Sequence, residues 1–406
     1  MNIVYIHQHF STTRGTTGTR SYDFARLLTE RGHRVTVVTG VYGPGDVRVR
    51  PGEWRVARRR IDGFDVRVVN VRYDNRQSFW RRMAAFLAFM AIATVEVLRI
   101  RDADVVFATS TPLTVGIPAV VARYVRRVPF VFEVRDIWPD TAVEIGALTH
   151  PGLIAAAKIL ERVCYHAASR VVAISRRMAW HLRHRLARGA AKVRVIPLGT
   201  DVALFDRTEA PSGWRASHRL EGKFVVVFAG AHGRLNGLRW VLQAAEQLKA
   251  DPSIRFVLIG EGALKPELQS QARREGLENV LFLDPVPKVR LAGVLKACDL
   301  GLMTLENLPV FDTACPNKFM DYLAAGLPVL VNFDGEAGWI SEREGCGVVV
   351  PPDDPEAMAA AIRALASDPD RAAEMGRRAR VLAARRFDRR RLVADLEAVF
   401  REAAGA

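Results

Sequence analysis

Cysteine is scarce in this chain: Cys164, Cys298, Cys315 and Cys346 are spread over 406 residues. None has metal-ligand spacing, and so few do not make a disulfide framework, so reduced thiols in a cytoplasmic protein are expected. Long apolar runs are missing too. The most apolar stretch is uncharged only from Met83 to Val95, well short of the roughly 20 residues that a membrane-spanning helix needs. The start, MNIVYI, lacks a basic n-region and is too short for a signal peptide, so it reads as a buried first strand. The chain shows no fixed-period repeat, no paired-acid motif of the kind that holds a metal-bound diphosphate, and no residue that reads as a certain covalent nucleophile. A nucleic-acid-reading motif or basic–aromatic stripe is also absent, so no nucleic-acid partner is expected. Lysine is uncommon, so the net charge of +15 comes almost wholly from arginine. Such an excess attracts something anionic, nucleic acid, acidic lipid or a phosphorylated ligand, unless it is only a generally basic surface.

Apolar residues make up 49 % and charged residues 25 %, values of a globular chain. At about 100–200 residues per domain, the length suggests two domains. Short β-branched runs alternate with helical stretches: NIVYI, RVTVVTG, FDVRVVN, DVVFAT, FVFEV, RVVAIS and VRVIP in the first half, then KFVVVFAG, RFVLIG, NVLFLDP, LGLMTL and PVLVN in the second. That rhythm predicts an α/β fold of two Rossmann-like, doubly wound domains with parallel sheets, facing a cleft at the carboxyl ends of their strands. The rhythm lapses from Gly199 to Leu220, where Gly, Pro and polar residues suggest a linker. The expected domains are therefore residues 1–200 and 221–385, with a C-terminal helix over 386–406 that crosses back to the first.

Four segments could carry chemistry. In HQHFSTTRGTTGTRSYDFARLL, Gly15 and Gly18 lie between a strand and a helix, where small residues let backbone N–H groups approach an anion; a plain flexible turn would look the same. In FEVRDIWPDTAVEIG, Glu133, Arg135, Asp136, Asp140 and Glu144 gather at the end of an apolar strand. Acids there could bind sugar hydroxyls and Arg135 a phosphate, whereas the simpler reading makes Asp136 a helix cap. The loop FAGAHGRLNGL supplies Gly230, His232 and Arg234. In FDTACPNKFMDYLAAGLPVLVN, Lys318 and Asp321 stand three apart on one helix face, suited to diphosphate and ribose or simply to a surface ion pair.

These motifs, with VLIGEGALKPEL, resemble the family 4 glycosyltransferases of GT-B fold over nearly the whole length. The similarity is greatest to a bacterial subgroup that builds lipid-linked surface polysaccharides, such as the N-acetyl-L-fucosamine transferases of O-antigen synthesis. FEVRDIWPDTAVEIGAL and PNKFMDYLAAGLPV are the most specific segments. The resemblance implies retaining transfer of a hexosyl or N-acetylhexosaminyl group, without metal or other cofactor, from a UDP-linked sugar to a lipid-linked or glycan acceptor. It implies donor phosphates near Gly15 and Gly18, ribose at Asp321, and a nucleobase bordered by Glu261 and by the stretch around Val286 and Lys288. Three departures stand out. The family's His–Asp pair reads Arg135–Asp136. Its basic diphosphate pair falls on Ala231 and Asn236, which leaves Arg234 and Lys318 as replacements. The first glutamate of its E-x7-E signature falls on Thr313, so that Asp312 or the 312–317 backbone would stand in. A sugar-nucleotide epimerase of the same architecture is the alternative.

The apolar segment 79–101, flanked by Arg81, Arg82, Arg99 and Arg101 and preceded by Arg55, Arg58, Arg59 and Arg60, reads either as a core helix or as an interfacial helix on an anionic membrane. The second reading places the protein peripherally at the inner face of the cytoplasmic membrane.

Overall fold

Runs of Val, Ile and Phe with no charge between them belong in strands covered on both faces, and such strands are parallel. In the computed structural model, which describes residues 1–53, 55–74 and 77–405, NIVYI becomes β1 (Asn2–Ile6) in the middle of an eight-stranded sheet. In chain order follow α1 (Arg20–Glu30), β2 (Arg34–Tyr42), β3 (Val56–Ile61), β4 (Phe64–Tyr73), α2 (Phe79–Leu98), β5 (Val105–Thr109), α3 (Gly116–Arg126), β6 (Phe130–Val134), α4 (Asp140–Glu144), α5 (Pro151–Ala167), β7 (Arg170–Ala173), α6 (Arg176–Leu186) and β8 (Val193–Val195). The sheet order is β3-β4-β2-β1-β5-β6-β7-β8. All neighbours are parallel except β3, which pairs antiparallel with β4 at the edge. The repeated expectation of parallel strands missed β3 because its sequence, VARRRI, reads as a basic run. The alternation is nonetheless there: Ala57 and Ile61 join the core on the α1 side, so Arg58 and Arg60 project to the opposite face.

Right-handed crossovers fix the layers. The step from β1 to β2 runs one way along the sheet and the steps from β4 through β8 run the other. Helix α1 therefore covers one face, and α2, α3, α5 and α6 cover the other. The sheet reverses direction between β1 and β5, the point at which a doubly wound domain binds ligands.

The second unit contains α7 (Val202–Arg207), α8 (Trp214–Ser217), β9 (Phe224–Ala229), α9 (Leu238–Gln247), β10 (Ile254–Ile259), α10 (Lys265–Arg274), β11 (Val280–Leu283), α11 (Lys288–Lys296), β12 (Leu300–Met303), α12 (Asn317–Ala325), β13 (Val329–Val331), α13 (Glu336–Arg343), β14 (Gly347–Val349), α14 (Pro355–Ala366) and α15 (Pro369–Leu382). Its six strands, in the order β11-β10-β9-β12-β13-β14, are all parallel and reverse between β9 and β12.

The units divide at 197/198 and 388/389. The stretch 199–220, expected as a linker, instead belongs to the second unit, because Val202, Phe205 and Leu220 anchor it in that unit's core. The last helix, α16 (Arg389–Ala404), belongs to the first unit and packs on α1. Two buried arginines tie the ends of the first unit to the first turn of α1. Arg20 donates to the carbonyls of Ile196 (3.1 Å) and Pro197, and Arg389 bonds Thr19 Oγ1 (2.7 Å) and Asp23. All four cysteines are buried free thiols.

Candidate functional site

In the second unit, three loops gather at the point where the sheet reverses. Each β–α turn begins where a buried strand stops, and the turns are zipped together by backbone bonds. Gly230 N–H donates to Ile259 O (2.9 Å), and His232 N–H donates to Glu261 O (2.9 Å). Thr304 Oγ1 donates to Asn236 O (2.8 Å), and Glu306 N–H donates to Leu235 O (3.1 Å). Two glycines make this closeness possible. Gly260 adopts φ +155°, and a Cβ there would overlap the carbonyl oxygen of Gly230; Gly237 adopts φ +61°, with its would-be Cβ 2.8 Å from Leu305 O.

Lys318, in the first turn of α12, reaches into this nest of loops. Its ammonium donates to Asn236 Oδ1 (2.8 Å), lies 4.0 Å from the centre of the Phe228 ring, and stands beside Gly230. Burial lowers its pKa to about 7. A lysine enclosed in this way, beside a glycine-rich turn and the N-terminus of α9, is set to gain full charge when an anion arrives. Arg234 is exposed in the turn leading to α9.

Lys318 and Asp321, three apart on one helix, take separate partners within the protein. The Asp321 carboxylate accepts from Thr200 Oγ1 (2.7 Å) and pairs with Lys288, and both side chains of the pair are buried. Glu261 is exposed, 3.6 Å from Lys265. Thr313 is buried and donates to Val310 O (3.3 Å).

His232 does not fit its expected contact with the donor. It is 0 % exposed, packed between Phe228 and Phe282, and its pKa is lowered to about 4, chiefly by burial and then by the charge of Lys265. Its contribution is made by the main chain, which ties the turn after β9 to the turn after β10.

In the first unit, the reversal point carries a second group. Arg135 N–H donates to Ser110 Oγ (3.1 Å), and its guanidinium lies 3.4 Å from His7 Nε2. Asp136 is exposed and accepts from Thr111 Oγ1 (2.7 Å). His7 also bonds Ser21 Oγ (2.7 Å), and its pKa is held well below the ordinary value by burial and then by Arg135. His9 stacks on Tyr42 and Tyr73, with centroids 4.8 and 4.4 Å away, and its pKa is lowered to about 3 by burial and then by Arg135. Sequence reasoning passed over both histidines, although their place directly after the first strand was the available signal. Asn236 was noted only as the residue standing where a family lysine would be.

Glu133, expected among the reacting groups, is enclosed in the protein. It is 0 % exposed; Oε1 accepts from Arg20 (2.7 Å) and Oε2 from Thr109, which hold it away from solvent. In the turn before α1, Gly15 makes room for the Ser11 hydroxyl, and Thr12, Gly15 and Thr16 spend their N–H groups on Asp46, Thr12 and Pro44. Any anion at this loop would be met by Gly18 and the first N–H groups of α1.

A sheet pair of this topology, with glycine-rich turns and a half-buried lysine at a strand-order reversal, defines a nucleotide-binding class of enzyme. The family model of 4-like glycosyl transferase domains matches residues 15–199, and that of group 1 glycosyl transferases matches residues 223–368. Together they take in most of the chain, which belongs to the glycosyltransferases of GT-B fold. The chain is 27 % identical over 266 residues to a Pseudomonas aeruginosa protein named as glycosyltransferase WbjE, covering 64 % of this chain and 66 % of that one. It is 28 % identical over 215 residues to WcaI of Escherichia coli K12, named as a colanic acid biosynthesis glycosyl transferase, covering 51 % and 52 %. The match thus spans between half and two thirds of these relatives. Among solved structures, Anabaena HepE in complex with UDP superposes with a TM-score of 0.72 at 20 % identity, over 98 % of this chain and 99 % of that one, a likeness of fold.

Proposed function

We propose that the chain transfers a sugar from a UDP-linked donor to a lipid-linked glycan acceptor of surface-polysaccharide synthesis, with retention at the anomeric carbon. The observation that carries this reading is the Lys318 ammonium enclosed against Gly230 and Asn236 at the reversal point of the second sheet. The diphosphate lies there, met by Lys318, Arg234 and the N-terminus of α9. Asp321 keeps Thr200 and Lys288 and offers its remaining lone pairs to the ribose diol. Glu261 and the turn from Val286 to Lys288 border the base. Arg135 and Asp136 in the first unit recognise the acceptor. The acceptor oxygen bonds to the anomeric carbon as the bond to the diphosphate oxygen breaks on the same face, and the hydroxyl proton passes to that leaving oxygen. Lys318 and the helix dipole stabilise the charge that develops. WbjE and WcaI are both named as transferases, and the epimerase alternative has no support from them.

Calorimetric titration tests the reading. UDP should bind at least about tenfold more tightly than UMP, through the second phosphate, and UDP-sugar should be consumed only when acceptor is present. Equal affinity for the two nucleotides would remove the diphosphate site. Arg234→Gln, an exposed change, should lower turnover about tenfold, the loss of one charge-assisted contact. A parental rate would strike Arg234 from the site.

A further inference from the structure

The outer layer of the first unit, formed by α2, α3, α5 and α6, contains ten arginine and lysine residues but only two carboxylates, Glu96 and Glu161. Both are buried and already paired, Glu96 with Arg67 and Arg99 and Glu161 with Arg185. The exposed surface of these four helices is therefore cationic and apolar, bordered by Asp140 of α4, which pairs with Arg185. The helices on the other face show that this is not simply the character of the chain: α1 and α16 together hold six arginines and five acids.

Among the described residues, the same layer also displays most of the large apolar side chains left in solvent. Helix α2 buries Phe86, Phe89, Ala93 and Val97 and turns outward a stripe that includes Trp80 (72 % exposed), Leu87 (49 %) and Val95. The core and surface readings of residues 79–101 are thus two faces of one helix. Tyr124 (70 %) and Val125 lie on α3, Ile159 (61 %) and Val163 on α5, and Trp180 (57 %) on α6. Arg58 follows on the edge strand, on the same side. Among the described residues, no helix is long and apolar enough to cross a membrane.

We infer that this four-helix layer docks flat on an anionic lipid surface, its Trp, Tyr and aliphatic side chains entering the headgroup region between arginines that meet lipid phosphates. The contact is wider than α2 alone, and it goes beyond the donor reading without depending on it. Leu87, Val95, Val125, Ile159 and Val163 decide the chemistry of the partner. Aliphatic side chains gain nothing from nucleic acid, whose single strands are bound by phosphate contacts and base stacking, whereas a bilayer rewards interleaved cations and apolar groups together. Closely spaced like charges equally disfavour the same face of a second copy.

The test is sedimentation with vesicles of phosphatidylcholine, alone or with about 30 % phosphatidylglycerol, an anionic surface of the kind that attracts basic faces. The full chain should pellet with the anionic vesicles at low salt and remain in the supernatant with the neutral ones. Three exposed variants, Trp80→Ser with Leu87→Ser on α2, Arg123→Glu with Arg126→Glu on α3, and Trp180→Ser on α6, should each weaken partitioning about tenfold, with unchanged melting temperature and UDP affinity. Equal recovery on both vesicle types overturns the proposal. So do α3 and α6 variants that bind like the parent, a Leu87→Ser, Ile159→Ser chain that pellets undiminished, or a dimer in light scattering that these substitutions dissolve.

Discussion

Asp321→Ala is expected to destabilise the second unit by about 3–5 kcal/mol, because it leaves the Lys288 ammonium buried without its carboxylate. Lys288 and Asp321 are both nearly enclosed, and Thr200 Oγ1 loses its acceptor in the same step. Urea denaturation should show a lower midpoint with an unchanged slope. Lys288→Met combined with Asp321→Leu should recover most of the loss, since an apolar pair of similar volume leaves no charge stranded. A single variant as stable as the parent would mean that the ion pair carries no weight in the fold. Asp321→Asn also leaves the Lys288 charge without its partner, so its UDP affinity is read under conditions where the chain is still folded. It keeps an acceptor for Thr200 and should weaken UDP binding about tenfold through the ribose; unchanged affinity would take Asp321 out of the ribose site.

Lys318→Met should weaken UDP binding by about 10–150-fold near neutral pH, the equivalent of one hydrogen bond to a charged group of about 1.5–3 kcal/mol. The pH dependence follows from the lysine's value of about 7 in the free protein. An anionic diphosphate raises that value on binding, so the complex takes up a proton whenever the pH lies above it. Affinity of the parent should therefore fall as pH rises through 7 towards 9, by up to about tenfold per unit. The variant should show no such slope, and the two should converge at high pH. Calorimetry in two buffers of different ionisation enthalpy measures the proton uptake directly. A parental affinity that is flat from pH 7 to about 9 would place the diphosphate away from Lys318.

Much of the architecture was legible because buried parallel strands announce themselves as apolar runs rich in Val, Ile and Phe, as in FVVVFA. Edge strand β3 was not, because a strand covered on one side can be half arginine. The turn after β9 was recognisable by its glycines, yet the reason for Gly260 lies in another loop, whose carbonyl it must clear. His232 and Glu133 show the limit most clearly. Each stands in the motif where a ligand contact was expected, and each is turned inward, by Phe228 and Phe282 in one case and by Arg20 and Thr109 in the other. Arg20 is 113 residues away from Glu133, and no local pattern links them.

The sequence by itself determined the class of fold, the two-domain plan, the family, and the block holding Lys318 and Asp321, because period, turn chemistry and local spacing are properties of neighbouring residues. Only the tertiary structure decided which partners those side chains take. It gave Lys318 to the Gly230 turn, Asp321 to Lys288, and the arginines of four separate helices to one surface, because burial and pairing are set by residues that the chain brings together from far apart.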